Sequence, residues 1–278
     1  MSAWIEGRVM AKKRWTPGLL SLEVNAPEVA FVAGQFARLA LPAPVAVDAQ
    51  PAVATATPSS ASAPAGVPAT TSASKEQMIG RPYSFVNAPG APHHEFYFNV
   101  VPEGPFSPRL ALLEPGDPLW LAPRANGFFS VSETPATDVL WCLSTGTGIG
   151  PFLSILRTTE PWEKFSRIVL VHAVRVSSDL TYRELMNDLV HAHSGAFAYV
   201  PVVSREAHPR ALEGRIPSLI EDGSLETRVG LALTAENSHT MLCGNPAMVD
   251  DVQAVLLTRG MKRHRRKEPG HVTVETYW

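Results

Sequence analysis

Residues Thr145, Gly146, Thr147, Gly148, Ile149, Gly150 and Pro151 follow the apolar run Val139 to Ser144. An apolar strand entering a glycine-rich turn, with Pro151 suited to the first turn of a helix, makes an anion cradle. Backbone N–H groups and the positive helix end favour a phosphate, and glycines let it approach closely. The spacing is not G-x-G-x-x-G, since Pro151 stands where that fingerprint places another residue type, so it argues only weakly for a standard Rossmann turn, and a plain tight turn stays open as an alternative. A second group is Arg175, Arg205 and Arg215, which fall at or just after two predicted strands and at a helix start. Loops at that edge of an open α/β sheet bind ligands. Three guanidinium groups there suit the extra 2′-phosphate of NADP(H), although an isolated exposed Arg is ordinarily just solvated. The third is Arg81-Pro82-Tyr83-Ser84 at a predicted strand start. Arg could hold a pyrophosphate, Tyr could stack on a flat ring and Ser could donate to a ring atom, yet each also suits a barrel strand.

The elements that must position these groups fall into two rhythms. Short apolar runs at Ile5–Met10, Leu19–Val24, Gln35–Leu41, Tyr83–Asn87, Glu95–Val101 and Pro118–Ala122 are separated by turns such as Glu114-Pro115-Gly116-Asp117. They predict an antiparallel barrel or sandwich. A short helix is predicted from Ser107 to Leu113, capped by Ser107. From about residue 136 the strands Val139–Ser144, Ile168–Ala173, Tyr199–Ser204 and Thr240–Cys243 alternate with helices at Phe152–Thr158, Thr181–His191, Arg215–Glu221 and Ala247–Arg259. That alternation predicts a parallel sheet covered on both faces. The domains expected are 1–133 and 134–278.

Pro42 to Ser74 is almost wholly Ala, Pro, Ser, Thr and Val, with Asp48 its only charge. Such a segment buries little area, and 42–76 is expected to be a disordered surface insertion.

Composition narrows the classes. With 278 residues, 45% hydrophobic and 18% charged, the chain is long enough and apolar enough to fold as a two-domain globular protein. Lys and Arg total 24 against 26 Asp and Glu, so no overall basic field favours nucleic acid, and only local patches can steer a partner. Only Cys142 and Cys243 are present. An iron–sulfur cluster takes about four thiolates, so none is expected, nor is any other metal site. Reduced buried thiols, no signal-like apolar stretch at the start and no membrane span lead to the expectation of a soluble, cytoplasmic monomer.

The ordered set Ala33-Gly34-Gln35-Phe36, Arg81-Pro82-Tyr83-Ser84, Phe96 to Val101, Ser107-Pro108-Arg109-Leu110, Ser144 to Pro151, Val203-Ser204-Arg205-Glu206, Cys243 to Met248 and Val274-Glu275-Thr276-Tyr277-Trp278 resembles the bacterial-type ferredoxin (flavodoxin)–NADP+ reductases. The resemblance implies an antiparallel β-barrel FAD-binding domain followed by an α/β NADP-binding domain. It also implies hydride transfer between NADP(H) and FAD, and single-electron exchange with ferredoxin or flavodoxin.

By resemblance, Arg81 would pair with the FAD diphosphate, Tyr83 would stack on the flavin or its ribityl side, and Ser84 would lie close to N5. Tyr97, Phe98, Asn99, Val100, Pro105, Phe106, Ser107 and Thr147 match further FAD contacts. Thr145, Gly146, Gly148, Asn245 and Pro246 match the pyridine-nucleotide segments, and Arg175, Ser204, Arg205 and Arg215 match the 2′-phosphate site. Cys243 would lie near the nicotinamide, or else be a small buried strand-end residue. Tyr277 would stack on the flavin face opposite Tyr83, with Trp278 against the adenine; plant-type relatives end in V-E-x-Y without that Trp. The resemblance leaves open whether Glu275 plays the acid role assigned to a glutamate there. Pro82 departs from the family pattern and should stiffen its strand. The basic run Lys262, Arg263, His264, Arg265, Arg266, Lys267 is either a solvated helix end or a docking patch for an acidic carrier. Rival readings are a flavin reductase, an oxygenase reductase component, or a flavin-binding regulatory protein without turnover.

Overall fold

A computed structural model of the protein describes residues 4–27, 29–43 and 77–276. The first layer comprises β1 (Ile5–Thr16), β2 (Leu19–Asn25), β3 (Phe36–Pro42), β4 (Met78–Ser84), β5 (His94–Asn99) and β6 (Pro118–Leu121). Their order is β4-β3-β6-β1-β2-β5, antiparallel throughout. Phe85 bridges to Phe96 and the Val86 N–H donates to Glu95 O at 2.9 Å, which joins the two outer strands and closes the sheet into a barrel. Alternate residues Leu20, Leu22 and Val24, Leu39 and Leu41, Phe96 and Phe98, and Leu119 and Leu121 fill its interior.

Two local expectations are corrected. The strand expected at Tyr83–Asn87 instead begins at Met78 and ends at Ser84, because the chain leaves β3 there and crosses to β5. The short helix α1 (Ser107–Ala111) is not capped by Ser107: Phe106 is the N-cap, and Ser107 Oγ accepts the Val101 N–H at 2.9 Å. Most of the 42–76 insertion lies outside the described residues. Its described base is paired, with Pro42 opposite Met78 and the Ala43 N–H donating to Gln77 O.

The second layer comprises β7 (Val139–Thr145), β8 (Arg167–Val174), β9 (Phe197–Val203), β10 (Leu212–Glu213), β11 (Ser238–Gly244) and β12 (Val272–Thr276), all parallel in the order β10-β9-β8-β7-β11-β12. With it run α2 (Gly150–Leu156), α3 (Glu160–Lys164), α4 (Arg183–Ala192), α5 (Ile216–Glu221), α6 (Ser224–Val229) and α7 (Pro246–Thr258). The continuous apolar strands sort by period two. Leu140, Cys142 and Leu170 pack toward α2 and α4, whereas Val139, Trp141, Leu143, Val169 and Val171 pack toward α5 and α7. α4 starts two residues later than expected because Tyr182, its N-cap, has φ +54 and turns Thr181 out of the helix.

The two layers share one core. Leu19, Ala33, Val86, Tyr97, Phe129 and Val131 from the barrel side pack with Leu140, Phe152 and Ile155 of the sheet layer. Polar bonds cross the same seam. Arg157 Nη1 donates to Glu95 Oε2 at 3.0 Å and to Val86 O at 3.2 Å, and Tyr182 Oη donates to Glu95 Oε1 at 2.7 Å. Ser154 Oγ donates to Asn87 O at 2.7 Å, and Thr181 Oγ1 donates to Tyr97 Oη at 3.0 Å. Replacing Arg157 with Ala strips a mostly buried carboxylate of its charged partner. The expected loss is about 2 kcal/mol of unfolding free energy, read as a lower urea midpoint.

Candidate functional site

In the second layer the chain runs outward from β7 through β8 and β9, then returns to place β11 on the other flank of β7. The crevice beyond the carboxyl ends of β7 and β11 is therefore the switch point at which such sheets bind ligands. The glycine turn after β7 occupies it as a 3-10 turn, Gly146–Ile149, leading into α2. Opposite stands the turn after β11, where Asn245 caps α7 by accepting the N–H groups of Ala247 and Met248. The Asn245 N–H donates to Thr145 Oγ1 at 2.9 Å, which ties the two turns together. A Cβ on Gly148 would lie 2.5 Å from Cys243 O, so only glycine permits this approach. Gly146, with φ +53, has nothing within 4 Å of its missing Cβ: the outer side of the turn is open.

Along the same edge, Arg175 follows β8, Ser204 and Arg205 follow β9, and all three are exposed. The Arg205 N–H donates to Arg175 O at 2.9 Å, so the two loops are adjacent. Arg215, also exposed, is the N-cap residue of α5. Arg175 and Arg205 thus share one stretch of this sheet edge, while Arg215 stands at the start of α5.

The barrel reaches the other side through the last residues of β4. Arg81 and Pro82 are exposed on this strand, whose pairing partner is β3. The Tyr83 ring is half-buried against Phe98 and Phe106, with centroids 6.0 and 5.9 Å away, and burial raises its phenol pKa to about 12. Ser84 is buried, and its Oγ donates to Glu275 Oε1 at 3.3 Å. Glu275 is paired in register with Cys243, which is paired in turn with Ser144. Ser84, Glu275 and Cys243 therefore meet where barrel and sheet abut. Burial raises the Glu275 pKa from 4.5 to about 7, while the Ser84 bond opposes the shift.

Beside them a cleft of about 330 Å³ is lined by Phe128, Glu133, Arg263, His264, Arg266 and Glu275, among others. The basic run is not a helix end: α7 stops at Thr258, and the run is a loop lying against β12 through a bridge from Arg263 to Val272. Arg266 lies 4.3 Å from the centroid of the exposed Phe128 ring and 3.4 Å from Glu133.

Full-length comparison places this arrangement among known proteins. Residues 142–254 match the family described as the oxidoreductase NAD-binding domain. The chain is 43% identical over 279 residues to a flavodoxin/ferredoxin–NADP reductase of Escherichia coli, and 38% identical to one of Buchnera aphidicola, covering all of both chains in each case. The chain belongs to the ferredoxin–NADP reductase family. A crystal structure of a ferredoxin–NADP+ reductase from Neisseria gonorrhoeae, with bound FAD and NADP, superimposes with a TM-score of 0.82 at 32% identity over the full length of both chains.

Within this reductase-family fold the remaining sequence-selected residues are spread out. The Tyr97 ring sits in the seam, edge-on to Trp15 and Tyr182, and Phe98 backs Tyr83 inside the barrel. Asn99 and Pro105 are exposed, Val100 and Thr147 are partly buried, Phe106 and Ser107 are buried, and Pro246 begins α7. Tyr277 and Trp278 lie outside the described residues. Cys142 and Cys243 are both buried, and burial pushes the Cys142 thiol far up. Among the described residues no group of acidic, His and Cys side chains fits a metal ion, and no helix is long and apolar enough to cross a membrane.

Sequence reasoning missed His172. It is fully buried in β8, its Nε2 lies 3.2 Å from Gly146 O, and burial lowers its pKa to about 4, so the ring is neutral and its Nε2–H donates to the glycine turn. The available signal was a histidine inside the apolar run Ile168–Ala173.

The raised Glu275 pKa fixes a pH dependence. An unfolded carboxyl ionises near 4.5, but the folded one keeps its proton to about 7, so stability present below pH 4.5 is lost as pH rises to 7. Glu275→Gln removes that titration. Between pH 4.5 and 8, urea unfolding of the native chain should lose about 2 kcal/mol more than that of the variant. The full shift would give more, but Glu275 is partly open to the cleft.

Proposed function

We propose that this chain is an FAD-dependent ferredoxin/flavodoxin–NADP+ reductase, with 1–133 holding FAD and 134–278 holding NADP(H). The observation that carries the proposal is the seam contact, in which Ser84 of the barrel bonds Glu275 beside Cys243 at the mouth of the sheet crevice. It sets the Arg81-Pro82-Tyr83-Ser84 strand against the glycine turn, as a flavin and a nicotinamide in contact require. The donor set fits both groups. Exposed Arg81 and the supported Tyr83 ring suit a diphosphate and a flat ring, and the open side of Gly146 suits a dinucleotide phosphate.

Bound FAD supplies the conversion between a two-electron hydride and single electrons. The chain's own part is to orient and to manage protons. Tyr83 is held rigid by Phe98 and Phe106, so it presents one ring face at little entropic cost. Glu275, with a pKa near neutrality, can hold or release a proton at Ser84 Oγ. Cys243 packs between Ser144 and Glu275 on the sheet and closes the crevice floor against water. Arg175, Arg205 and Arg215 anchor the 2′-phosphate, with Ser204 beside them. Thr145, Thr147, Gly148, Asn245 and Pro246 form the walls of the dinucleotide site. The barrel positions Tyr97 to Val100 and Pro105 to Ser107 would support the FAD.

The electron partners are ferredoxin and flavodoxin, the carriers named for the curated relatives. Lys262, Arg263, Arg265, Arg266 and Lys267 form an exposed cationic rim beside the cleft at Glu275, which suits an acidic carrier.

Two measurements test this reading. NADPH oxidation coupled to cytochrome c through purified ferredoxin should be fast at low salt and fall as ionic strength rises; no coupling would leave the regulatory reading standing. Arg175→Ala and Arg205→Ala should each raise KM for NADPH about tenfold with little change for NADH, consistent with loss of a charge-assisted bond. Equal effects on both substrates would discard the 2′-phosphate assignment.

A further inference from the structure

The loops bearing Arg175 and Arg205 are tied to one another by backbone and by side chain. The Ser204 N–H donates to Val174 O at 3.1 Å and the Arg205 N–H to Arg175 O at 2.9 Å. Beyond these, Glu206 Oε1 accepts the Ser177 N–H at 2.6 Å. Glu206 is next to Arg205 in the chain, and Ser177 is two residues past Arg175. Ser177 is gripped from its other side too: Arg183 Nη2 donates to Ser177 O at 2.7 Å, and Arg183 Nε donates to Leu180 O at 3.0 Å.

A carboxylate beside two guanidinium groups that await an anion has two opposed effects. Its charge repels a phosphate, but Glu206 is exposed, where water and salt screen that repulsion. Its hydrogen bond to Ser177 acts locally, holding the loop after β8 against the loop after β9. Hydrogen bonding to Ser177 holds the Glu206 carboxyl below its usual range, so it stays ionised at neutral pH. Asp179, which faces both Arg175 and Glu206, and His208, which faces Glu206, are the other titratable neighbours.

We propose that Glu206 is a positioning residue for 2′-phosphate recognition, clamping the Arg175 loop to the Arg205 loop so that the two guanidinium groups present a preformed pair. The proposal rests on the reading of Arg175 and Arg205 as phosphate anchors. Because the clamp acts only where the 2′-phosphate binds, it governs selection of NADPH over NADH rather than the reacting end of the nucleotide.

Calorimetric binding of adenosine 2′-monophosphate to the full chain, together with steady-state kinetics, tests it. Glu206→Ala should weaken 2′-phosphate binding about fivefold and raise KM for NADPH by a similar factor, with the change absent from kcat and from KM for NADH. Glu206→Gln keeps an oxygen that can accept the Ser177 N–H and should recover most of the affinity. Unchanged or tighter binding in Glu206→Ala overturns the clamp and leaves Glu206 as a repelling charge only. Failure of the unmodified chain itself to bind adenosine 2′-monophosphate overturns the anchor reading along with the clamp, and that result is separable from the first.

Discussion

Glu95 is the point at which barrel and sheet are fixed to one another. One of its oxygens meets Arg157 and the other meets Tyr182, while its own N–H donates to the Asn87 side chain. A mostly buried carboxylate engaged on both oxygens admits little rotation, because any swing of one layer would leave a charge unpaired in a poorly solvated place. Around it Val86, Tyr97, Phe129 and Phe152 pack as one core rather than as two surfaces in contact. That rigidity is what allows Ser84, at the end of a barrel strand, to find Glu275 on a strand of the other layer. Binding sites that straddle two domains gain precision when the seam itself does not breathe.

The crevice follows from topology once the seam is fixed. β7 is central because the chain extends from it in both directions, so two loops, not one, leave its carboxyl end region. They come so close that side chains are excluded at Gly148 and Gly244, where added Cβ atoms would strike Cys243 and Thr145. The glycines here serve mainly to let two turns cross, and the outer side of the turn at Gly146 is left open. His172 completes the device from below: a neutral imidazole in the sheet core donates to the Gly146 carbonyl and holds the turn's orientation without introducing charge.

What the sequence made legible was local. The glycine turn, the strand-end arginines and the barrel's alternating runs all depend on residues near one another in the chain, and they stand where the pattern put them except for the run expected at Tyr83–Asn87, whose strand is Met78–Ser84. The short elements α3, α6, β10 and β12 gave too few residues for a period to register; β10 has only two. Ser107 has the residue type of a cap, yet its hydroxyl is taken by the Val101 N–H of the preceding turn, a competition that spacing alone does not reveal. Glu95, Arg157 and Tyr182 were invisible as seam residues because their partners lie 62 to 87 positions away, while His172 showed only as a histidine in an apolar run, its partner 26 positions off. The basic run was legible as charge but not as a loop against β12, since its placement depends on a parallel pairing at the sheet edge.

The two ends of the site differ in how charge is treated. Arg175, Arg205 and Arg215 are exposed, and an exposed guanidinium attracts strongly only a partner that can replace its water bidentately, as a phosphate dianion can. Glu275 is held where hydration is poor, and the consequence is a proton retained to about pH 7. The Ser84 hydroxyl bonded to it can serve as donor or acceptor and matches either state of the carboxyl. On the cleft side, Arg266 lies over Phe128 while reaching Glu133, so the cation is already partly satisfied. With the whole chain near neutrality, at −2, any charge-driven attraction must come from local groups such as this basic run rather than from the overall field. Such attraction fades over a Debye length, so it acts only on charges that come close to the run.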